Sequence, residues 1–316
     1  MACAQALQDG TLQMQVRQLA ARLLRHALPA GAACNREALE TAVLQALAVP
    51  ELTSAAALSA AALAPPQLLQ TLLAMGQRGL AVEALKATAL LAEEGWAQAT
   101  QMAEPALAAV GGPAAVSLAA LEALRALLPT GARASWVAAL RAVEQPELHS
   151  EAWRLLEACA EHCYDSVTEP ELQQLLSATA GDPAHGLDVW EALAASEALA
   201  QRPGGLLGLV APQLLPLLLD ALRPEESAEA SCQCLMAVAK VLGDEVLPPV
   251  VAFVAAEPRR PGLLAFGAVQ DGPTAQTLQP LIRMALPTLL EARPREPQRS
   301  IDAISYKSYI YIYICI

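Results

Sequence analysis

Apolar residues recur along this chain at helical spacing, separated by short breaks rich in proline, glycine and polar residues. Residues 114–128 contain an apolar stripe that includes Leu121, Leu124 and Leu128, with Glu122 and Arg125 on the more polar side. This spacing predicts an amphipathic α-helix. The same pattern predicts helices near residues 11–28, 36–48, 52–64, 66–75, 79–92, 98–110, 114–128, 133–143, 148–163, 169–179, 185–199, 205–222, 227–242, 246–256, 261–270 and 276–292.

Taken in pairs, these helices repeat about every 35–40 residues, close to the ~40–47 residues of HEAT or armadillo units. Turn sequences such as Gly111-Gly112-Pro113 and Asp182-Pro183 separate them. The pattern lacks the alternation of strands and helices that a Rossmann fold or an α/β barrel requires. It therefore predicts an all-α fold, an α-α superhelix of the HEAT or armadillo type with about eight helix pairs, over residues 1–298.

The two ends of the chain depart from this pattern. Val16, Leu19 and Leu23 form an apolar stripe with no polar capping helix before it, which predicts that the natural N-terminus is missing. Residues 299–316 end in alternating Tyr and Ile, as a repeat of the dinucleotide TA would encode. We expect a non-native or disordered tail there; the alternative is a β-prone edge strand.

Composition limits the classes of function. The net charge of −12 excludes a nucleic-acid-binding protein, since phosphate contacts need stripes of Lys and Arg, and it suits basic protein partners. The apolar run 206–219 is too short to span a bilayer and contains two prolines, so no membrane insertion is expected. Seven scattered cysteines without a signal peptide indicate a reducing compartment, the cytoplasm or the nucleus.

Candidate catalytic and metal-binding chemistry is sparse. Cys159 and Cys163 share one helix face, but His162 points away from it, so the three residues do not converge as zinc ligands. The sequence contains no nucleophile elbow, phosphate-binding loop or dinucleotide fingerprint. We therefore predict no enzyme activity, no metal and no cofactor.

Residues 264–273, which read Leu-Ala-Phe-Gly-Ala-Val-Gln-Asp-Gly-Pro, end one helix and are followed by another at 278–291. Together with 207–216, 232–239 and 244–248, they resemble the HEAT repeats of the importin-β family of nuclear transport receptors. The resemblance extends over most of the chain but is specific only in its last third. It implies a divergent and incomplete receptor, found in the cytoplasm, the nucleus and at the nuclear pore.

The resemblance also implies binding residues. Phenylalanine-glycine (FG) repeats of nucleoporins are expected to bind at Leu107, Trp136 and Val137, although Trp136 is equally well interpreted as a core residue. The family's acidic loop contacts the GTPase Ran and a basic importin-α segment. Here it is reduced to Glu225, Glu226 and Glu229, and it lacks the family's tryptophan, so attraction to a basic partner should be weaker.

A second interpretation keeps the fold and changes the function. The chain would then be a generic HEAT or armadillo scaffold for protein–protein interaction, with no role in transport. The two interpretations differ at Leu107, Trp136 and Val137, which should meet at the surface of a receptor.

Overall fold

The computed structural model describes residues 2–27, 36–200, 205–257 and 259–270, together with 279, 282 and 283. Within them the chain forms sixteen α-helices and no β-strand, which confirms the predicted all-α class. The chain divides into two compact units, Met1–His162 and Cys163–Ile316.

The first unit is built from ten helices. They are α1 (Ala2–Gln8), α2 (Met14–Ala27), α3 (Arg36–Leu47), α4 (Thr53–Leu63), α5 (Leu68–Gln77), α6 (Ala81–Glu93), α7 (Ala103–Ala109), α8 (Ala114–Ala126), α9 (Ala132–Ala142) and α10 (His149–Cys163), which ends at the boundary. A 3-10 helix, Ala97–Met102, leads into α7.

These helices pack in two layers. In one layer α2 contacts α4, α4 contacts α6, and α6 contacts α8. The other layer contains α1, α3, α5 and α7, and α1 contacts α3 within it. Each helix of this second layer packs on the helix that follows it in the chain: α1 on α2, α3 on α4, α5 on α6 and α7 on α8. Each pair thus buries its apolar faces against its own partner and the next pair, as repeat proteins do.

The second unit has the same plan. Its helices are α11 (Glu169–Gly181), α12 (Pro183–Leu199), α13 (Leu206–Ala221), α14 (Glu225–Leu242), α15 (Leu247–Ala256) and α16 (Arg260–Ala268). The even-numbered helices stack in the order α12, α14, α16, and the odd-numbered ones in the order α11, α13, α15. Short 3-10 helices, Tyr164–Ser166 and Gly243–Val246, precede α11 and α15.

Small residues let the layers approach closely. Helix α4, which lies between α2 and α6, buries Ala56, Ala57 and Ala60 completely. Alanine has the highest helix propensity and adds little bulk, so a helix can pack on both sides. Ser59 is also fully buried, and its hydroxyl donates a hydrogen bond of 2.6 Å to the carbonyl of Ala21 on α2.

Most predicted helices are present with ends that differ by one to three residues; α14, for example, begins at Glu225 instead of near residue 227. One expectation was wrong in part: a helix, α1, does precede the apolar stripe of α2, with Ala4 and Leu7 buried, although Val16, Leu19 and Leu23 remain exposed. The predicted helix 276–292, apart from three residues, and the predicted tail 299–316 lie outside the described residues.

In the part of the chain that the structure describes, no helix is long and apolar enough to span a bilayer.

Candidate partner-binding surfaces

The residues expected to bind FG repeats lie on two neighbouring helices of the first unit. Leu107 belongs to α7, Trp136 and Val137 belong to α9, and these two helices are in contact. Their approach is close where α9 begins, because a Cβ at Gly131 would lie 3.9 Å from the Cβ of Ala103. Gly131 itself adopts the left-handed conformation, with φ of 70°, which glycine tolerates best.

The three side chains differ in burial. Leu107 and Val137 are half-buried, whereas Trp136 is fully buried with 0% exposure. The indole Nε1 of Trp136 has no hydrogen-bond partner. Trp136 is therefore a core side chain, and only Leu107 and Val137 offer apolar surface to a partner.

The three carboxylates of the expected acidic loop lie on a helix. Glu225 and Glu226 form the first turn of α14 and Glu229 follows in the second; all three are exposed. Pro224 precedes them with extended backbone angles, and negative side chains are favoured at a helix N-terminus by the helix dipole. The loop interpretation is therefore corrected: the connection after α13 is short, and α14 carries the acidic residues.

Nearby cations neutralise part of this acidic surface. Arg260 of α16 lies 3.7 Å from Glu225, and Arg223 contacts both Asp220 and Glu257 at 2.6 Å. The bond to Glu257 is the main cause that raises the pKa of Arg223. Among the described residues, no cation is recorded beside Glu226 or Glu229, so these two carboxylates are the ones available to a basic partner.

A shallow groove of about 300 Å³ lies between α13 and the start of α15. It is lined by Gly208, Ala211, Pro212, Leu215, Pro216, Glu245 and Pro249. Pro212 and Pro216 have no backbone N–H, so the carbonyls of Gly208 and Pro212 lose their helical donors. Apart from Glu245, the residues that line the groove are glycine or apolar. The groove was not predicted from the sequence, in which Pro212 and Pro216 mark only the helix that forms one of its walls.

Comparison with known proteins gives partial sequence matches to one family. The chain is 33% identical to importin subunit beta-1 of Schizosaccharomyces pombe over 120 residues, which cover 33% of this chain and 14% of that protein. It is 30% identical to importin subunit beta-1 of Arabidopsis thaliana over 108 residues, or 28% of this chain and 12% of that one. No family model matches the chain.

Solved structures of yeast importin-β, called Kap95p, share the fold. Kap95p alone aligns with a TM-score of 0.77 and 21% identity, covering 93% of this chain and 44% of Kap95p. A complex of Kap95 with Nup1 aligns at 0.78 and 18%, covering 98% and 45%. A structure of Kap95p bound to RanGDP aligns at 0.76 and 19%, covering 93% and 44%. The chain therefore spans less than half the length of these proteins.

Sequence similarity and fold thus agree with the resemblance seen in the sequence: the chain is similar to importin subunit beta-1 over about a third of its length, and it shares the helical fold of Kap95p over more than nine tenths.

Proposed function

We propose that the chain is an importin-β-like nuclear transport receptor that binds FG repeats of nucleoporins and acts between the cytoplasm and the nucleus and at the nuclear pore. The observation that carries the proposal is the shared helical fold over 98% of this chain with Kap95, which was solved bound to Nup1. Binding of this kind requires surfaces on a helical array and no covalent chemistry.

The proposed FG site is the surface where α7 meets α9. Leu107 and Val137 are both half-buried and would contact a phenylalanine ring, while Trp136 supports α9 from the core. An aromatic ring gains from an apolar slot between adjacent helices, since most of its binding energy comes from buried area. One such contact is weak, and repeated segments reach useful affinity by multivalency.

The test is binding of a labelled FG-repeat peptide to the full-length chain, measured by fluorescence anisotropy. Substituting Leu107→Ser and Val137→Ser together should weaken binding about tenfold, because a hydroxyl replaces apolar contact at the slot. Leu209→Ser is the control, since Leu209 is a leucine on α13 that is more exposed than Leu107, at 55%, and lies on neither α7 nor α9. Trp136→Ala is unsuitable, because truncating a buried tryptophan costs about 3–5 kcal/mol of stability.

A peptide with serine in place of each phenylalanine completes the design. Unchanged binding in the double variant, or equal binding of both peptides, would contradict the proposed site. If no FG peptide binds to a chain that is folded and helical, the receptor function itself is wrong.

We propose a second surface of the same receptor at the start of α14, for the GTPase Ran and basic segments of cargo proteins. Glu226 and Glu229 support it, because both carboxylates are exposed, no cation lies beside them among the described residues, and exposed charges mainly steer association. Glu226→Gln with Glu229→Gln should slow association with a basic peptide at low salt and leave dissociation nearly unchanged. Glu144→Gln with Glu147→Gln is the control, as an exposed pair with the same spacing. Equal association rates in the two double variants would contradict this site.

One observation favours the alternative of a generic HEAT scaffold without a transport role. The receptor interpretation requires Leu107, Trp136 and Val137 to meet at the surface, but Trp136 is fully buried. The scaffold alternative predicts no preference for phenylalanine over serine peptides, and the experiment above separates the two.

A further inference from the structure

Two neighbouring turns of the second unit carry charges that pair from one turn to the other. Arg223, in the turn between α13 and α14, contacts Glu257 at the end of α15 at 2.6 Å. In the opposite direction, Arg260 at the start of α16 lies 3.7 Å from Glu225 at the start of α14. Each turn thus gives one cation and one carboxylate to the other. We refer to these four side chains as the charge clasp, which joins two successive helix pairs.

Two members of the charge clasp lie at helix ends where the helix dipole opposes them. Glu257 directly follows α15, so its carboxylate lies at the negative end of that helix. Arg260 is the first residue of α16, so its guanidinium lies at the positive end. Pairing across the turns compensates for both positions, because Arg223 supplies a cation for Glu257 and Glu225 supplies a carboxylate for Arg260.

Arg223 has further partners that fix its guanidinium. Its Nη1 lies 2.6 Å from the carboxylate of Asp220, and its Cζ lies 5.5 Å from the centre of the Phe253 ring, a cation–π distance. A single exposed ion pair contributes little to stability, whereas several charges in one network contribute more. The charged side chains of this network are all at least 32% exposed, so dissolved ions and a charged partner can reach them.

The charge clasp lies beside the contact between α14 and α16. The pair of Arg260 and Glu225 joins the first turns of these helices, which pack on each other. Further along, the Sγ of Cys232 on α14 lies 3.9 Å from the carbonyl oxygen of Leu264 on α16. The pKa of Cys234 is raised by burial and then by Glu191 and Asp188 of α12, so Cys234 faces α12 instead.

We propose that competing cations open the charge clasp, so that a basic segment that binds at the start of α14 loosens α16. Glu225 belongs both to the clasp and to the carboxylates that begin α14, next to Glu226 and one turn before Glu229. A lysine or arginine that approaches these carboxylates competes for Glu225 with Arg260, which is the more distant of the two clasp arginines from its partner. Without Glu225, Arg260 is unfavourably placed at the start of α16. The coupling to a partner rests on the second surface proposed above, whereas opening by dissolved salt does not.

The experiment measures alkylation of Cys232 by iodoacetamide in the full-length chain at low protein concentration, with Cys234 as the internal control. Loosening of α16 uncovers Cys232 and leaves Cys234 covered by α12. Raising NaCl from about 20 mM to about 500 mM should speed alkylation of Cys232 about threefold, because salt screens pairs of exposed charges. Cys234 should not respond, and fragmentation of the labelled peptide in the mass spectrometer separates the two sites.

Substitutions then test the charge clasp itself. Arg223→Gln with Arg260→Gln removes both of its cations, so alkylation of Cys232 at low salt should be about threefold faster and no longer respond to NaCl. Arg259→Gln with Arg78→Gln is the matched control. Both of these arginines are exposed, no ion pair is recorded for them among the described residues, and the net charge changes equally. This control variant should behave like the unsubstituted chain.

A labelled hexalysine peptide added at low salt tests the coupling to a partner. It should speed alkylation of Cys232 in the unsubstituted chain and in the control variant, and have no effect on alkylation in the clasp variant. Fluorescence anisotropy should also show that the clasp variant binds the peptide about twofold more tightly than the control variant, because Glu225 is then free of Arg260.

Several results would overturn the proposal. Equal alkylation of Cys232 in the clasp variant and the control variant would do so, as would a salt response shared by Cys232 and Cys234. A peptide that binds without changing the alkylation of Cys232 would contradict the coupling to a partner. If the peptide does not bind at all, the second surface on α14 and the coupling are both wrong, and the response to NaCl still decides whether the charge clasp restrains α16.

Discussion

The buried tryptophans show how polar atoms are handled in this alanine-rich core. In the second unit, the indole Nε1 of Trp190 donates a hydrogen bond of 3.0 Å to Thr179, whose hydroxyl donates at 2.8 Å to the carbonyl of Leu175. In the first unit, Trp153 donates at 3.1 Å to the Nε2 of His149. Trp136 alone among these three has no partner for its N–H. Burying an unpaired donor costs free energy, so Trp136 is retained for the volume that it fills.

The Thr179 hydrogen bond gives a prediction on stability. Thr179→Val keeps the shape of the side chain but leaves the buried N–H of Trp190 without an acceptor, which should lower the free energy of unfolding by about 1–3 kcal/mol. Ser177→Ala on the same helix is the control: its hydroxyl is exposed, and its loss should cost less than about 0.5 kcal/mol. Urea unfolding measures both, and equal midpoints for the two variants would contradict the assignment.

The cysteines of α14 give a prediction on reactivity. Burial, with a smaller contribution from Glu229, raises the pKa of the Cys232 thiol to about 11, and burial raises the pKa of Cys234 as well. At pH 8 only about one Cys232 thiol in a thousand is ionised, and the ionised fraction rises about tenfold per pH unit up to pH 11. Alkylation by iodoacetamide, followed by mass spectrometry of the peptides, should therefore be slow at pH 8 and fast in urea. Alkylation of Cys232 at the same rate in both would contradict this environment.

Among the elements, the pair α11 and α12 shows how close two helices of a repeat can come. Gly186 of α12 lies against Thr179 of α11, and a Cβ there would be 2.5 Å from the Thr179 hydroxyl oxygen. That approach also brings Trp190, one turn later on α12, within hydrogen-bond distance of the same hydroxyl. A glycine inside a helix is normally unfavourable, so its presence here is explained by helix packing.

Gly186→Ala and Gly208→Ala should therefore have opposite effects. Gly186→Ala forces α12 away from α11 and should lower the free energy of unfolding by about 1–3 kcal/mol. At Gly208 of α13 an added Cβ meets nothing within 4 Å. Gly208→Ala should therefore raise the free energy of unfolding by about 0.5–1 kcal/mol, because alanine has the higher helix propensity. Thermal unfolding followed by circular dichroism measures both. Stabilisation by Gly186→Ala would show that the two helices do not pack so closely.

Helices could be predicted from the sequence wherever an apolar stripe is bounded by proline or glycine. Residues 36–47 and 53–63 illustrate this, since Pro50 and Pro65 separate them from their neighbours. Helix α1 was missed because seven residues are too few to show a clear period. The start of α14 was predicted two residues too late, because Glu225 and Glu226 are equally consistent with a solvated loop and with the first turn of a helix.

The candidate sites were less predictable than the helices. The pattern identifies Trp136 as an apolar position but does not distinguish a side chain that fills the core from one that lines a surface slot, since both lie on the apolar side of an amphipathic helix. The groove beside Pro212 depends on the separation between α13 and α15, which no local pattern specifies. The exposure of Leu19 depends in the same way on which neighbours α2 has.

For the whole molecule, the two units repeat one plan, in which paired helices stack and contacts remain local along the chain. Proteins of this kind bind through extended surfaces contributed by several repeats. The surfaces proposed here fit that mode: an apolar contact at α7 and α9 and two exposed carboxylates on α14.

The central claim, that the chain is a transport receptor, is tested most directly by its entry into a hydrogel of FG repeats. Labelled full-length chain is placed beside that gel and beside a matched gel in which serine replaces each phenylalanine. We predict that the chain accumulates in the FG gel well above an inert protein of equal mass and charge, and that Leu107→Ser with Val137→Ser lowers the accumulation. Equal partitioning of the folded chain into both gels would contradict the claim and favour a scaffold without a transport role.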